Sequence, residues 1–145
     1  MKIVLQRVSR ASVAVSGKEV GRIGKGYLIF VGIGSGDNTT KVEKAVDKIQ
    51  KLRLFPDENS KTNLSIVDVG GEVLIVSQFT LYADCRKGNR PSFTDAATPD
   101  LAESLYRYFI EYAKKMFAKV EHGVFGADME VELINSGPFT VILED

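Results

Sequence analysis

A chain of 145 residues with 44% apolar and 26% charged side chains is long enough to bury a core of its own, and its composition is that of an ordinary globular domain. Nineteen basic residues balance nineteen acidic ones, so contact with a polyanion has to come from a local patch. One cysteine, Cys85, and one histidine, His122, exclude an intrachain disulfide, a cysteine-cluster or multi-histidine metal site, and most serine–histidine triads.

The segment Lys2 to Val15 is rich in Val and Ile with partial alternation and predicts a strand. Ser16-Gly17-Lys18 supplies a turn, and Glu19 to Ile23 returns as the second arm of a hairpin. The continuous apolar run Gly26 to Ile33 reads as a buried strand. Asp37-Asn38-Thr39-Thr40 offers capping side chains, and Val42, Ala45, Val46, Ile49 and Leu52 follow at helical spacing. Phe55-Pro56-Asp57-Glu58-Asn59 breaks that helix.

Two further strands are expected over Ser65 to Val69 and Glu72 to Thr80, separated by Gly70-Gly71. Tyr82 to Ala97 is the longest loop, and long ordered loops are often functional. Thr98 as cap, Pro99 at the first helical position and the early acid Asp100 start a second helix. Its row Leu101, Leu105, Phe109, Ala113 and Phe117 is spaced to face the core. His122 to Gly126, Asp128 to Asn135 and Phe139 to Leu143 read as closing strands. No repeat, linker or low-complexity tract divides residues 1–145, which read as a single domain. The fold class is α+β: a curved, part-closed mixed or antiparallel β-sheet barrel packed by two main helices. No apolar run approaches the roughly 20 residues of a membrane-spanning helix, and the N-terminus is interrupted by polar groups too early for a signal peptide. A cytoplasmic location is expected.

Three segments carry chemistry-bearing residues. Ser77, Gln78 and Thr80 gather around Phe79 where the apolar run Val73-Leu74-Ile75-Val76 stops. Strand ends that feed loops present unpaired backbone donors on a rigid scaffold, although an ordinary solvated strand terminus looks the same. Asn135-Ser136-Gly137-Pro138 marks a tight turn between two apolar stretches, and from pattern alone a plain trans turn explains it. Arg86-Lys87-Gly88-Asn89-Arg90 places three cations around a flexible glycine, which suits either a phosphate backbone or a solvated loop. Arg7 and Arg10 either extend that patch or face water.

Over nearly its whole length the chain resembles the D-aminoacyl-tRNA deacylase family. That family carries a Ser-Gln-Phe-Thr-Leu strand end, matched in full by Ser77 to Leu81. It also carries an Asn-x-Gly-Pro-Val-Thr turn, matched at Asn135, Gly137, Pro138 and Thr140, with Phe139 in place of the usual Val. The resemblance implies hydrolysis of the ester joining a D-amino acid, or glycine, to the 3′-terminal adenosine of tRNA. It also implies a homodimer with active sites at the subunit interface. A cis Gly137-Pro138 turn would reach into the partner's pocket and exclude the side chain of an L-amino acid.

By the same resemblance, backbone N–H groups around Phe79 and Thr80 would stabilise the oxyanion. Gln78 and Ser77 would position the adenosine and the ester. Two sources of the nucleophile stay open: the Thr80 hydroxyl, which has no sequence-adjacent base, or a water organised by the tRNA 2′-hydroxyl. That hydroxyl would also select RNA over DNA. Ala102, Phe125 and Met129 correspond to pocket-lining positions, and no metal or organic cofactor is implied. Two alternatives are a non-catalytic RNA-binding or editing-type module, and a sister deacylase for mischarged L-alanyl-tRNA. The latter carries Pro at the position of Ser77 and Ala at that of Phe79.

Overall fold

The computed structural model describes residues 1–145, and β1 (Lys2–Val15) organises it. This strand runs antiparallel to β2 (Lys18–Ile23), to β3 (Gly26–Gly32) and, on its other side, to β8 (Met129–Glu144). Beyond β3 the sheet turns parallel, through β6 (Glu72–Ser77) to β7 (Val120–His122). The order is β2-β1-β3-β6-β7, with β8 on β1. The two ends of that order curl toward each other: a Cβ added at Gly21 of β2 would sit 3.1 Å from the carbonyl oxygen of His122 in β7. The sheet is therefore a mixed, nearly closed barrel with a seam.

Two apolar clusters share the strands. Tyr27, Ile29 and Val31 of β3, with Val73 and Ile75 of β6, face helices α1 (Thr39–Lys51) and α2 (Pro99–Met116). The alternate residues Leu28, Leu74 and Val76 face the barrel interior with Val8, Ala11, Val13 and Ile23. Burial on both faces explains why these strands read as unbroken apolar runs rather than alternations. In β1, Ile3 and Leu5 face the helices, whereas Ala11 and Val13, of the same parity, face the interior. The register slips between Val8 and Arg10 account for the change, since an extra bulged residue turns the following side chains to the other face.

Asn38 caps α1, its side chain accepting from the Lys41 N–H at 3.0 Å, and Val42, Val46 and Ile49 are fully buried. Leu105, Phe109, Ala113 and Phe117 of the second apolar row are buried as expected, and Leu101 is half-buried. Thr98 occupies the cap position of α2 but its side chain makes no capping bond. Beneath the N-terminus of α1, the buried Asp37 carboxylate accepts from the Met1 ammonium and from the Gly34 N–H, each at 2.7 Å.

Four expectations need correction. Ser65 to Val69 is a turn, not a strand, because Ser65 and Asp68 exchange side-chain-to-backbone bonds (2.8 and 3.2 Å) that compete with a ladder. The strand expected to run to Thr80 ends at Ser77, and Phe79–Tyr82 wind into a single 3-10 turn. The strand expected at His122 to Gly126 lies earlier, over Val120–His122. The last two expected strands are one, β8, with the Asn135–Pro138 turn as a protrusion inside it. A short pair, β4 (Phe55–Pro56) with β5 (Thr62–Leu64), fills the stretch read only as a break. No helix is long and apolar enough to cross a membrane.

Candidate active site

The polar strand end becomes one wall of a cavity of about 610 Å³. Ser77, Gln78 and Phe79 line it on one side, Ala102 and Pro99 from the first turns of α2 on another, and Phe125 and Met129 on a third. That volume lies within the roughly 300–1,000 Å³ typical of small-ligand sites. Six of the sequence-derived site residues thus meet in one place. Thr80 does not line the cavity; its hydroxyl accepts from the Gln78 side-chain amide beside it.

Tight packing explains the turn. Gly32 and Gly34 of the neighbouring segment have no side chain to hold it off. A Cβ at Gly32 would lie 3.0 Å from the Gln78 carbonyl oxygen, and one at Gly34 would lie 2.5 Å from the Tyr82 hydroxyl oxygen. The chain therefore folds sharply onto β3, with Gln78 N–H still donating to Val31 at 2.8 Å. The N–H groups of Phe79 and Thr80 open the turn and have no acceptor within it, whereas the Leu81 N–H donates back to the Gln78 carbonyl at 3.2 Å. Phe79 is 57% exposed at the mouth, with its ring against Phe93 at 5.1 Å.

Beneath the cavity, Tyr106 of α2 donates its phenol to the Ile75 carbonyl at 2.9 Å and stands 5.9 Å from the Phe125 ring. Burial pushes its pKa above the ordinary phenol range, so Tyr106 is a fixed strut rather than an acid–base group. The apolar row of α2 does not separate this strut from neighbouring core residues. Val131 and Asp128 also reach the cavity, and neither carried a sequence signal. No histidine or cysteine lines it: His122 Nδ1 is engaged with the Gly123 carbonyl at 2.7 Å, and Cys85 is exposed in the 82–97 loop.

Gly137 and Pro138 are not part of this cavity. They sit where Gln6 faces Thr140 and Val8 faces Asn135, so that one residue of β1, Arg7, stands opposite Ser136 to Phe139. The extra residues bulge outward, and the Gly137-Pro138 peptide is cis. Side chains staple the base of the bulge. Asn135 donates to the carbonyls of Arg7 and Phe139, both at 3.0 Å, and Gln6 donates to the Thr140 hydroxyl at 3.1 Å. Arg7 donates to the carbonyls of Ser136 (3.1 Å), Gly137 (3.2 Å) and Leu54 (2.5 Å), and lies over the ring of Phe139. Arg7 therefore belongs to the bulge and is not a cation of the loop patch.

Chemically, the cavity offers apolar walls, a polar edge at Ser77 and Gln78, and beside it two backbone N–H groups that have no acceptor within their own turn. Asp128 is the one lining residue with a carboxyl group, and no lysine, arginine or histidine lines the cavity.

The family model and the curated relatives agree with one another. The family model described as D-Tyr-tRNA(Tyr) deacylase matches residues 4–144. The D-aminoacyl-tRNA deacylase of Thermosipho africanus (strain TCF52B) is 51% identical over 99% of this chain and 97% of its own. That of Halothermothrix orenii (strain H 168 / OCM 544 / DSM 9562) is 55% identical over the same shares. Among solved structures, the c-Myc DNA unwinding element binding protein superposes with a TM-score of 0.94 at 42% identity, covering 100% of this chain and 99% of that one.

Proposed function

The chain belongs to the D-Tyr-tRNA(Tyr) deacylase family, and from that premise we propose a chiral proofreading reaction at the cavity beside Ser77–Phe79. It hydrolyses the ester of D-aminoacyl-tRNA, and of mischarged glycyl-tRNA, in the cytoplasm, releasing tRNA and the free amino acid. The observation that carries this reading is the coincidence of a largely apolar cavity of about 610 Å³ with the N–H groups of Phe79 and Thr80, unpaired within their turn, at its edge.

The tetrahedral intermediate of ester hydrolysis carries its charge on one oxygen. Preorganised backbone donors aimed at it are worth about 10²–10³ in rate apiece. Gln78 and Ser77 orient the adenosine and the ester, and Phe125 and Met129 hold the base. With the Thr80 hydroxyl already engaged by Gln78, the nucleophile is a water organised by the tRNA 2′-hydroxyl.

Chirality is read by the bulge at Gly137-Pro138 of a second copy of the chain. Gly137 lies eight positions beyond Met129 along β8, roughly 25 Å at strand rise, which supports delivery to the partner's cavity rather than its own. β8 pairs only with β1, leaving its far edge open, and Ile134 and Ile142 on it are 44% and 66% exposed. An open edge with apolar side chains is a surface that soluble proteins cover. Carbonyl oxygens held by Arg7 would occupy the space an L side chain needs, while D residues and glycine would leave it free.

Purified protein incubated with D-tyrosyl-tRNA and L-tyrosyl-tRNA tests the reading: rapid release of D-tyrosine alone is expected. Binding without release would leave only an RNA-binding module, and equal release of both would defeat the chiral filter. Release of L-alanine from mischarged tRNA in preference to D-tyrosine would favour the sister activity, against which Ser77 and Phe79 argue.

A further inference from the structure

The cationic loop ahead of α2 is built as a small clasp. Asp84 and Ser92 exchange both backbone hydrogen bonds, at 2.8 and 3.0 Å, closing residues 85–91 into a hairpin-like tip. Gly88, at φ +69° with nothing within 4 Å of a Cβ, turns the tip in a left-handed conformation that other residues resist. Inside the clasp Arg86 is already committed, gripping the Asp84 carboxylate through two bonds of 2.8 and 2.6 Å. Lys87 and Arg90 have neither a carboxylate partner nor a hydrogen-bond acceptor in the chain. Asp84, Arg86, Lys87 and Ser92 line an open recess that contains no hydrophobic residue, and within it the Asp84 charge is already answered by Arg86.

The tip is tied to the cavity rather than loose beside it. Phe93, just after the clasp, packs edge-on against Phe79 at the cavity mouth. Arg90 is three residues from Phe93, at most about 10 Å of extended chain, and Lys87 is six residues away, at most about 20 Å. Both cations therefore stand within a few nucleotides' length of the cavity mouth.

Resting on the deacylase reading above, we propose that Lys87 and Arg90 bind backbone phosphates of the single-stranded 3′ end of the RNA, immediately before the adenosine held in the cavity. Arg86, neutralised by Asp84, holds the clasp in shape. The acids Asp84 and Asp95 keep the patch from being a general polyanion trap, in line with the zero net charge of the chain.

The test is a double substitution, Lys87→Ala with Arg90→Ala, assayed on D-tyrosyl-tRNA and on D-tyrosyl-adenosine, which has the ester and the sugar but no phosphate. On tRNA, KM is expected to rise with kcat unchanged. The plot of log kcat/KM against log salt should become less steep by about 0.7 for each lost phosphate contact, about 1.4 for two. On D-tyrosyl-adenosine the variant should match wild type, which also establishes that it is folded. An unchanged salt slope would overturn the proposal. So would an equal loss on both substrates, which would mean that the loop acts through the cavity. A wild-type protein that hydrolyses neither substrate would defeat the deacylase reading itself, and with it this one.

Discussion

The guanidinium of Arg7 lies 4.6 Å above the ring of Phe139 while donating to the carbonyls of Ser136 and Gly137. One cation thus fixes both the backbone of the bulge and the aromatic side chain that follows it. Arg7→Ala removes these charge-assisted bonds and is expected to destabilise the fold by about 1.5–3 kcal/mol in urea unfolding. The same variant should release L-tyrosine from tRNA measurably faster than wild type, because the carbonyls it held become mobile. Arg7→Lys should recover part of the stability but less of the discrimination, since an ammonium cannot make the same forked contacts.

Phe139→Val exchanges the aromatic ring for the residue usual in the family. The cation–π contact it removes is worth about 0.5–1 kcal/mol at a part-exposed site. Arg7 keeps its carbonyl acceptors, so melting and the ratio of D- to L-tyrosyl-tRNA hydrolysis should each change only slightly, the latter by less than about tenfold. A larger shift in the ratio would make the ring itself part of the filter.

Main-chain donors can be tested by proline. Gln78 has φ −147° and ψ 78°, outside the helical region that a following proline disfavours. Phe79→Pro therefore deletes one N–H with the local backbone retained, whereas Phe79→Ala deletes only the ring. Relative to Phe79→Ala, Phe79→Pro is expected to lower kcat by about 10²–10³. Thr80→Ala should retain activity within about tenfold; complete loss with the fold intact would restore Thr80 as the nucleophile.

The Tyr27 hydroxyl is buried with no hydrogen-bond partner, and its ring stacks on Phe55 at 5.2 Å. Tyr27→Phe is expected to stabilise the protein by about 1–3 kcal/mol, the cost of an unsatisfied buried polar group. Burial also pushes the Tyr27 and Tyr106 phenols up, so the unfolded chain gives up these protons first. Stability is then constant near neutrality and falls as pH rises beyond about 10, the unfolded phenol pKa. Tyr27→Phe should flatten that alkaline limb in urea titrations at successive pH values.

The barrel strands and both helices are legible because their apolar spacing is dictated by burial: β3 and β6 as unbroken runs, α2 as the row from Leu105 to Phe117. Of the cavity residues, the polar strand end at Ser77, Gln78 and Phe79 is visible in the pattern, whereas Ala102, Phe125 and Met129 are legible only through the family resemblance, since nothing in a lone Ala102 or Met129 separates wall from core. Arg7 was missed as a staple because its partners are carbonyls of residues 54, 136 and 137, and backbone acceptors leave no trace in sequence. The Ser65–Asp68 turn was misread for a similar reason: the exchange of side-chain and backbone bonds outweighs the β-branched residues between them.

β8 carries Met129 of the cavity near one end and the Asn135–Pro138 bulge in its middle, on one continuous strand. Such a strand acts as a gauge between the cavity and the bulge, and its setting is a count of residues rather than their identity. Loss or gain of a single codon between Met129 and Asn135 would rotate every side chain on one side of the change to the opposite face and shift the bulge by a residue. Point substitutions over the same stretch leave the count intact. Through descent this segment should therefore drift in composition while holding its length, and an alignment of relatives would show that as a stretch without gaps.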